Sequence, residues 1–271
     1  MTSFRPGLVI STIGALVSVF LLMPLLAVIP VSFTPKRFLS LPDGEWSFRH
    51  YQALIEDPGW MQSLLLSIKI GIVSSSLACL LATAFCLGIW LFRPVFSGLL
   101  TGFVLLPMVA PPVVSALTLY FFLTSLTQYN GIIAYDKWAG VAVTHAVMTA
   151  PYAVVLLMVA LSQLDRRIDL AAQSMGAGLG TRIFKVILPN IRFGIAGAFL
   201  LCFLLSWDEI GVTLFVTSVD AITLPRRMWM GLRDNIDPAI AALSVVLIGL
   251  VTILTLIRSG MQYRARKRAQ G

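Results

Sequence analysis

Polar residues in this chain are confined to short joints between long apolar runs. The runs cover residues 8–31, 67–92, 99–125, 139–161, 193–217 and 239–258. Each is close to or above the roughly 20 residues that a helix needs to cross the hydrocarbon core of a bilayer, so the pattern predicts six spanning helices. Barrel strands would alternate in segments of about 10 residues, whereas these runs are continuous. A helix also satisfies its backbone amides within its own segment, as lipid requires. The predicted fold class is therefore an all-α integral membrane protein. The first run follows Arg5 and outlasts the roughly 7–15-residue core of a signal peptide, so it reads as a retained span. Pro107 and the pair Pro111–Pro112 interrupt the third run. The expected result is a kinked helix, with backbone opened to a cavity as the other reading. Between the first two runs, residues 48–65 show loose helical spacing between Trp46 and Trp60, which predicts a helix along the interface.

Composition agrees with this picture. The chain is 58% hydrophobic and 12% charged, against about 25% charged in soluble domains. Its formal charge of +8 does not point to nucleic acid, because the basic residues are scattered between apolar runs and cluster only in the tail sequence RARKR. Their distribution sets orientation, since cytoplasmic loops keep the excess of Lys and Arg. With the N-terminus inside, twelve of the 20 basic residues fall on the cytoplasmic side, among them Arg93, Arg166, Arg182 and Lys185. Seven fall outside, and Lys69 lies near a helix mouth. Both termini are expected in the cytoplasm. The expected division is a first span with a periplasmic loop (1–60), a core (61–262) with a cytoplasmic loop at 162–192, and a basic tail (263–271). Cys79, Cys86 and Cys202 lie inside apolar runs without a C-x-x-C pair, and read as small buried hydrophobes.

The loop at 162–192 is the one sizeable cytoplasmic surface, and it contains DLAAQSMGAGLGTRIFKVILPN at 169–190. Ala171, Ala172 and Gly176 place small side chains together, so that another surface can approach the backbone. Gly178 and Gly180 offer left-handed positions for ending a helix, and Leu188–Pro189 predicts a turn before the fifth span. The expected shape is a short helix, a turn and a second helix. Gly176 to Gly180 lacks the Lys-Ser/Thr that a phosphate-binding loop needs, and no strand precedes it, so the chain itself is not expected to bind ATP.

The same segment resembles the signature of the permease subunits of binding-protein-dependent ABC importers of the type I fold: E-A-A, three residues, G, nine residues, I-x-L-P. Ala171, Ala172, Gly176, Val186, Leu188 and Pro189 fall at those positions without a gap, with Leu170 in place of the glutamate and Val186 in place of isoleucine. The resemblance implies a type I permease fold whose loop is a coupling helix seated in an ATPase subunit, with Ala171, Ala172, Gly176, Leu188 and Pro189 as the coupling residues. Leu170 removes a charge that in the family helps seat the loop. The resemblance further implies no catalytic residue and no cofactor. It implies a bacterial inner-membrane location and, as partners, a second and different permease, a cytoplasmic ATPase dimer and a periplasmic solute-binding protein. Ser206 to Glu209, Phe215 to Thr217, Thr223 to Pro225, Trp229 and Asp237–Pro238 look like the spermidine/putrescine-type branch. The motifs at His145, Pro151–Tyr152, Pro107 and Pro111–Pro112 fit the same branch, which makes a polyamine or another small solute the expected cargo.

Asp208 and Glu209 fall within the fifth apolar run, where a carboxylate at mid-bilayer costs about 2.5–3.5 kcal/mol by insertion scales. One reading places at least one of them on the path of a cationic solute. The other makes them a hydrogen-bonded or ion-paired clasp, and a helix break that moves them towards the surface is compatible with either. His145, alone in an apolar helix, reads as a satisfied packing residue. An ion-coupled secondary transporter acting alone is the alternative class, with Asp208, Glu209 and His145 carrying the ion, but no internal repeat supports it. An intramembrane enzyme would need a convergent catalytic set, and neither HExxH nor GxSxG occurs.

Overall fold

The computed structural model describes residues 7–234 and 236–270, with side chains through residue 233 and from 236 to 262. Arg5 and the side chains of the basic tail at 263–271 lie outside the described residues. Every regular element among them is helical: α1 (Leu8–Ser32), α2 (Arg49–Glu56), α3 (Pro58–Phe92), α4 (Ser97–Val109), α5 (Pro112–Thr127), α6 (Trp138–Ser162) and α7 (Arg166–Ser174). A composite helix follows, made of α8 (Leu179–Thr181), a π-helical turn (Arg182–Ile187) and α9 (Leu188–Asn190). The chain ends with α10 (Arg192–Trp207), α11 (Thr213–Val216), α12 (Leu224–Asp234) and α13 (Ala239–Gln270). Among the described residues α1, α3, α6 and α13 are each long and apolar enough to cross a membrane, and two bent helix pairs raise the number of spans to as many as six.

The third apolar run is not one kinked helix. Its halves, α4 and α5, meet at 99°. Neither Pro111 nor Pro112 has an N–H to continue the hydrogen-bond ladder, and each forces the residue before it out of the helical region. Ala110 (φ −64, ψ 139) and Pro111 (φ −56, ψ 132) are accordingly extended. Pro112 then opens α5 at a position where a missing N–H costs nothing. The fifth run is also shorter than expected: α10 ends at Trp207, ten residues before the run itself ends at 217, with Asp208 as its C-cap. The stretch 48–65 divides at Asp57 into α2 and the start of α3, rather than forming one interfacial helix. Trp60 is buried, whereas Trp46 is exposed. α3 itself runs for 35 residues, about 52 Å at ~1.5 Å per residue, which exceeds the ~30 Å hydrocarbon core.

The chain forms two compact units, Met1–Met61 with Met228–Gly271, and Gln62–Arg227. In the first, α1 packs on α13 and α13 on α2. The turn after α1 is held by the Phe33 ring among Trp46, Phe48 and Tyr51, with centroids 5.6, 5.3 and 5.2 Å away. Ser32 and Tyr51 share a hydroxyl hydrogen bond of 2.7 Å. In the second unit α6 packs along α10, and the core between α3, α6 and α10 is built largely of small residues. Ala78, Cys79, Ala82 and Cys86 of α3 meet Ala146, Ala153 and Val154 of α6 and Ala198 and Cys202 of α10. Lipid provides no hydrophobic force between helices, so close backbone approach and van der Waals packing must hold them. The three cysteines are buried and free, as expected.

His145 joins these helices in the way expected of a satisfied packing residue. Its Nδ1 lies 2.8 Å from Ser206 Oγ and its Nε2 2.9 Å from Thr213 Oγ1. Ser206 in turn accepts from Ser74 Oγ at 2.9 Å, so α3, α6, α10 and α11 share one buried polar network. α10 approaches α6 tightly at Gly194, where an added Cβ would stand 2.5 Å from Ala160 Cβ. Gly194→Leu is expected to lower the stability of the detergent-solubilised protein by about 1–3 kcal/mol, read as an earlier unfolding midpoint, because overpacking must separate the two helices.

Candidate functional site

The loop at 162–192 folds as the expected helix, turn and second helix. α7 starts at Asp165, whose Oδ1 accepts the Arg167 N–H at 2.9 Å and so satisfies one of the donors exposed at a helix start. Its end has the two bonds of a Schellman cap: Ala177 N–H to Ala172 O at 3.0 Å, and Gly176 N–H to Gln173 O at 2.9 Å. That cap needs a left-handed residue, and Gly176 supplies it with φ +78. The left-handed position is thus Gly176, not Gly178 or Gly180 as expected from the sequence. Gly178 is extended and starts the next helix, and Gly180 lies within it.

The second helix carries a π-helical turn at Arg182–Ile187, closed by Leu188 N–H to Ile183 O. Pro189 explains it: with no N–H and a ring that crowds the carbonyl four residues back, it cannot accept a regular α-helical turn there. Asn190 Nδ2 instead donates to Val186 O at 2.7 Å. Pro189 therefore sits inside a helical turn rather than at a break, and the chain bends by 70° between Leu179–Asn190 and Arg192–Trp207.

The small residues divide between two faces. Ala171 and Gly176 are exposed, as are Met175 (82%) and Leu179 (45%) beside them. Ala172 is buried at 4%, so it packs within this chain, contrary to the expectation of one continuous small-residue surface. Leu170, at the motif's glutamate position, is 57% exposed and lies on the open side.

Two residues that sequence reasoning did not single out hold the loop together. Asp169, buried at 7%, receives Arg182 Nε at 2.7 Å and Arg182 Nη2 at 2.6 Å, and Gln173 Nε2 donates to it at 3.1 Å. This two-pronged geometry ties α7 to the composite helix across the Gly176 turn, and it is the strongest common form of ion pair. The Arg182 hydrogen bonds hold the Asp169 carboxyl below the ordinary carboxylate range, against the opposing push of burial. The only signal in the sequence is an acid and a base 13 residues apart on either side of a glycine-rich turn, a separation no helical periodicity pairs.

Asp208 and Glu209 lie beyond α10, in the irregular segment before α11. Glu209 is half-buried, and its Oε1 accepts the Val212 N–H at 2.8 Å, capping the turn that leads into α11. Asp208 is exposed. Neither makes an ion pair among the described residues. At the N-terminal end of α6, Asp136 forms a second anchor that the sequence did not reveal. Its carboxylate accepts N–H groups of Ser218, Val219, Asp220 and Ala221 at 2.7–3.2 Å. Burial pushes its carboxyl up, but these bonds together win and hold it below the ordinary range. Lys137 Nζ pairs with Asp220 at 2.6 Å alongside. No group of three or more His, Cys, Asp or Glu suited to a metal ion occurs among the described residues.

Residues 81–270 match a family described as the binding-protein-dependent transport system inner membrane component. The chain belongs to this family. Among curated proteins it is 30% identical over 251 residues to the putrescine transport system permease protein PotI of Escherichia coli (strain K12), covering 92% of this chain and 88% of the relative. It is 33% identical over 233 residues to the molybdenum transport system permease protein ModB of the same strain, covering 80% and 99%. A bacterial ABC transporter that imports the acidic polysaccharide alginate shares its fold, at 12% identity and a TM-score of 0.66, with 97% of this chain and 99% of that one covered. The protein is thus the permease subunit of an ATP-driven, binding-protein-dependent importer, not an enzyme. The family hydrolyses ATP on a separate subunit, and the lone ion-coupled transporter is not favoured.

Asp169→Asn is expected to destabilise the permease by roughly 1–3 kcal/mol at neutral pH, by leaving Arg182 without its counter-charge. The native carboxyl titrates below its unfolded value of about 3.9, so the contribution is complete above that pH and disappears as pH falls through the native value. Unfolding midpoints of wild type and variant, separated at pH 7, should therefore converge below about pH 4.

Proposed function

We propose that this permease imports a small organic cation of the putrescine class. Six spans are reached when each bent pair counts as one, and the excess of basic residues supports an orientation with both termini and the 162–192 loop in the cytoplasm of a bacterial inner-membrane protein. A cytoplasmic ATPase dimer, a second permease of different sequence and a periplasmic solute-binding protein complete the transporter. Ala171 and Gly176 form the face that the ATPase receives, with the exposed Met175 and Leu179 as its apolar rim. Closure of the ATPase dimer pushes on α7, and the Asp169–Arg182 fork passes that displacement to Leu188–Pro189 and on to α10. The observation that carries the cargo assignment is the 30% identity to the putrescine permease across 92% of this chain.

Molybdenum transport is the second reading, favoured by the 33% identity to ModB. The exposed Asp208 beside the half-buried Glu209 argues against it, because a local negative field repels an oxyanion and concentrates a cation.

The test uses the whole transporter, reconstituted with its ATPase, partner permease and binding protein and offered labelled putrescine or molybdate. Putrescine uptake is expected, and Asp208→Asn with Glu209→Gln should abolish it while the ATPase still co-purifies, since glutamine retains the oxygen that caps α11. Unchanged putrescine uptake in the double variant removes the carboxylates from the pathway; molybdate uptake in the wild type selects the second reading. Ala171→Cys and Met175→Cys should crosslink to the ATPase, and a loop that reacts only from the periplasm overturns the orientation.

A further inference from the structure

A cleft of about 760 Å3 opens where α3 and α6 end, at the same end of the second unit as α7. Ile89, Trp90, Met158 and Leu161 form its apolar wall, and Arg93, Ser97 and Arg166 its polar rim. The Arg166 guanidinium lies over the Trp90 ring, 4.8 Å from the centroid, and the Trp90 indole N–H is fixed by Leu161 O at 3.1 Å. Arg93 enters the rim from a left-handed backbone position, φ +46. In a residue other than glycine that conformation costs on the order of 1–3 kcal/mol and tends to occur at functional sites.

Neither arginine makes an ion pair among the described residues. Asp165, the acid in the cleft lining, caps α7 with its Oδ1. Burial lowers the Arg166 pKa, and the charge of Arg93 lowers it further, against a smaller opposing pull from Asp169. Two cations thus stand close enough to repel each other, one just past the end of α3 and the other at the start of α7. Phe92 (69%), Val95 (93%) and Phe96 (69%) project outwards beside Arg93. Exposed apolar side chains beside an arginine suit the end of a spanning helix, where the apolar groups meet lipid tails and the long basic side chain reaches the headgroup level.

We propose that Arg93 and Arg166 bind the phosphate of an anionic phospholipid, whose tails meet the apolar side chains beside them. A phosphate between two guanidinium forks cancels their repulsion and gains charge-assisted hydrogen bonds. Basic pockets between spanning helices are suited to such headgroups. Assignment to the cytosolic leaflet rests on the orientation proposed above, but the site itself does not.

The complex of this chain with its partner permease and ATPase, purified in detergent, can be titrated with phosphatidylglycerol or phosphatidylcholine and read by native mass spectrometry. The wild type should retain phosphatidylglycerol in preference to phosphatidylcholine, and Arg93→Gln with Arg166→Gln should weaken that retention about thirtyfold, at roughly 1 kcal/mol per basic residue. Equal retention in wild type and variant overturns the proposal. So does complete displacement of the lipid by millimolar inorganic phosphate, which marks a site for the free anion. Loss of the ATPase with the lipid retained assigns the arginines to a protein contact instead. Should the glutamine pair fail to assemble, Arg166→Lys decides: it keeps the charge and loses the fork and the stack on Trp90, and unchanged phosphatidylglycerol retention overturns the site. A wild-type chain that captures no ATPase counts against the importer reading, whereas lipid retention is still read on the chain itself.

Discussion

A backbone amide inside a bilayer has no water to turn to, and the form of this permease follows from that constraint. Where sequence allows an unbroken ladder, as in α3 and α13, the chain runs as one long helix. Single prolines such as Pro24 and Pro151 are carried inside α1 and α6, but at two other places proline changes the path of the chain. At Pro111–Pro112 two missing donors in succession produce a 99° corner, whereas at Pro189 one missing donor is absorbed by widening a single turn. The difference is one of local chemistry. After Pro189 the Asn190 amide returns a hydrogen bond to Val186, while Ala110 and Pro111 are both extended.

The same economy of polar groups organises the second unit. His145, Ser206, Ser74 and Thr213 satisfy one another between four helices whose shared core is otherwise apolar and rich in alanine and cysteine. Small residues set how near the helices come, and the polar network sets their register. The ends of the unit are held differently, by carboxylates. Asp169 grips a guanidinium in the 162–192 loop, and Asp136 grips four successive backbone N–H groups beyond the N-terminal end of α6. Each clasp ties a connecting segment to its neighbour through a carboxylate with more than one hydrogen bond.

The sequence made the helical class, the membrane setting and the permease signature legible, because each rests on length, hydropathy or spacing within one segment. It also anticipated the short helix, turn and second helix of the 162–192 segment. It did not distinguish Ala171 from Ala172, since which of two neighbouring alanines faces inwards depends on how α7 is rotated, and that rotation is fixed by the Asp169–Arg182 fork. It assigned the left-handed turn to Gly178 and Gly180, because glycine content alone does not show which glycine completes a cap. The fifth run looked apolar through Thr217, yet α10 stops at Trp207 and Glu209 turns back to cap α11. Hydropathy does not register such a stop, because the residues beyond it remain apolar.

The geometry at Gly176 bears on how such loops are recognised. The end of α7 is specified by a backbone cap and one left-handed glycine, and neither involves the side chain at residue 170. A leucine there changes what the loop offers to a partner without changing the loop's shape. A search that insists on an acidic residue at the head of the motif would discard this permease, whereas one that weights the glycine and the two turns around it would retain it.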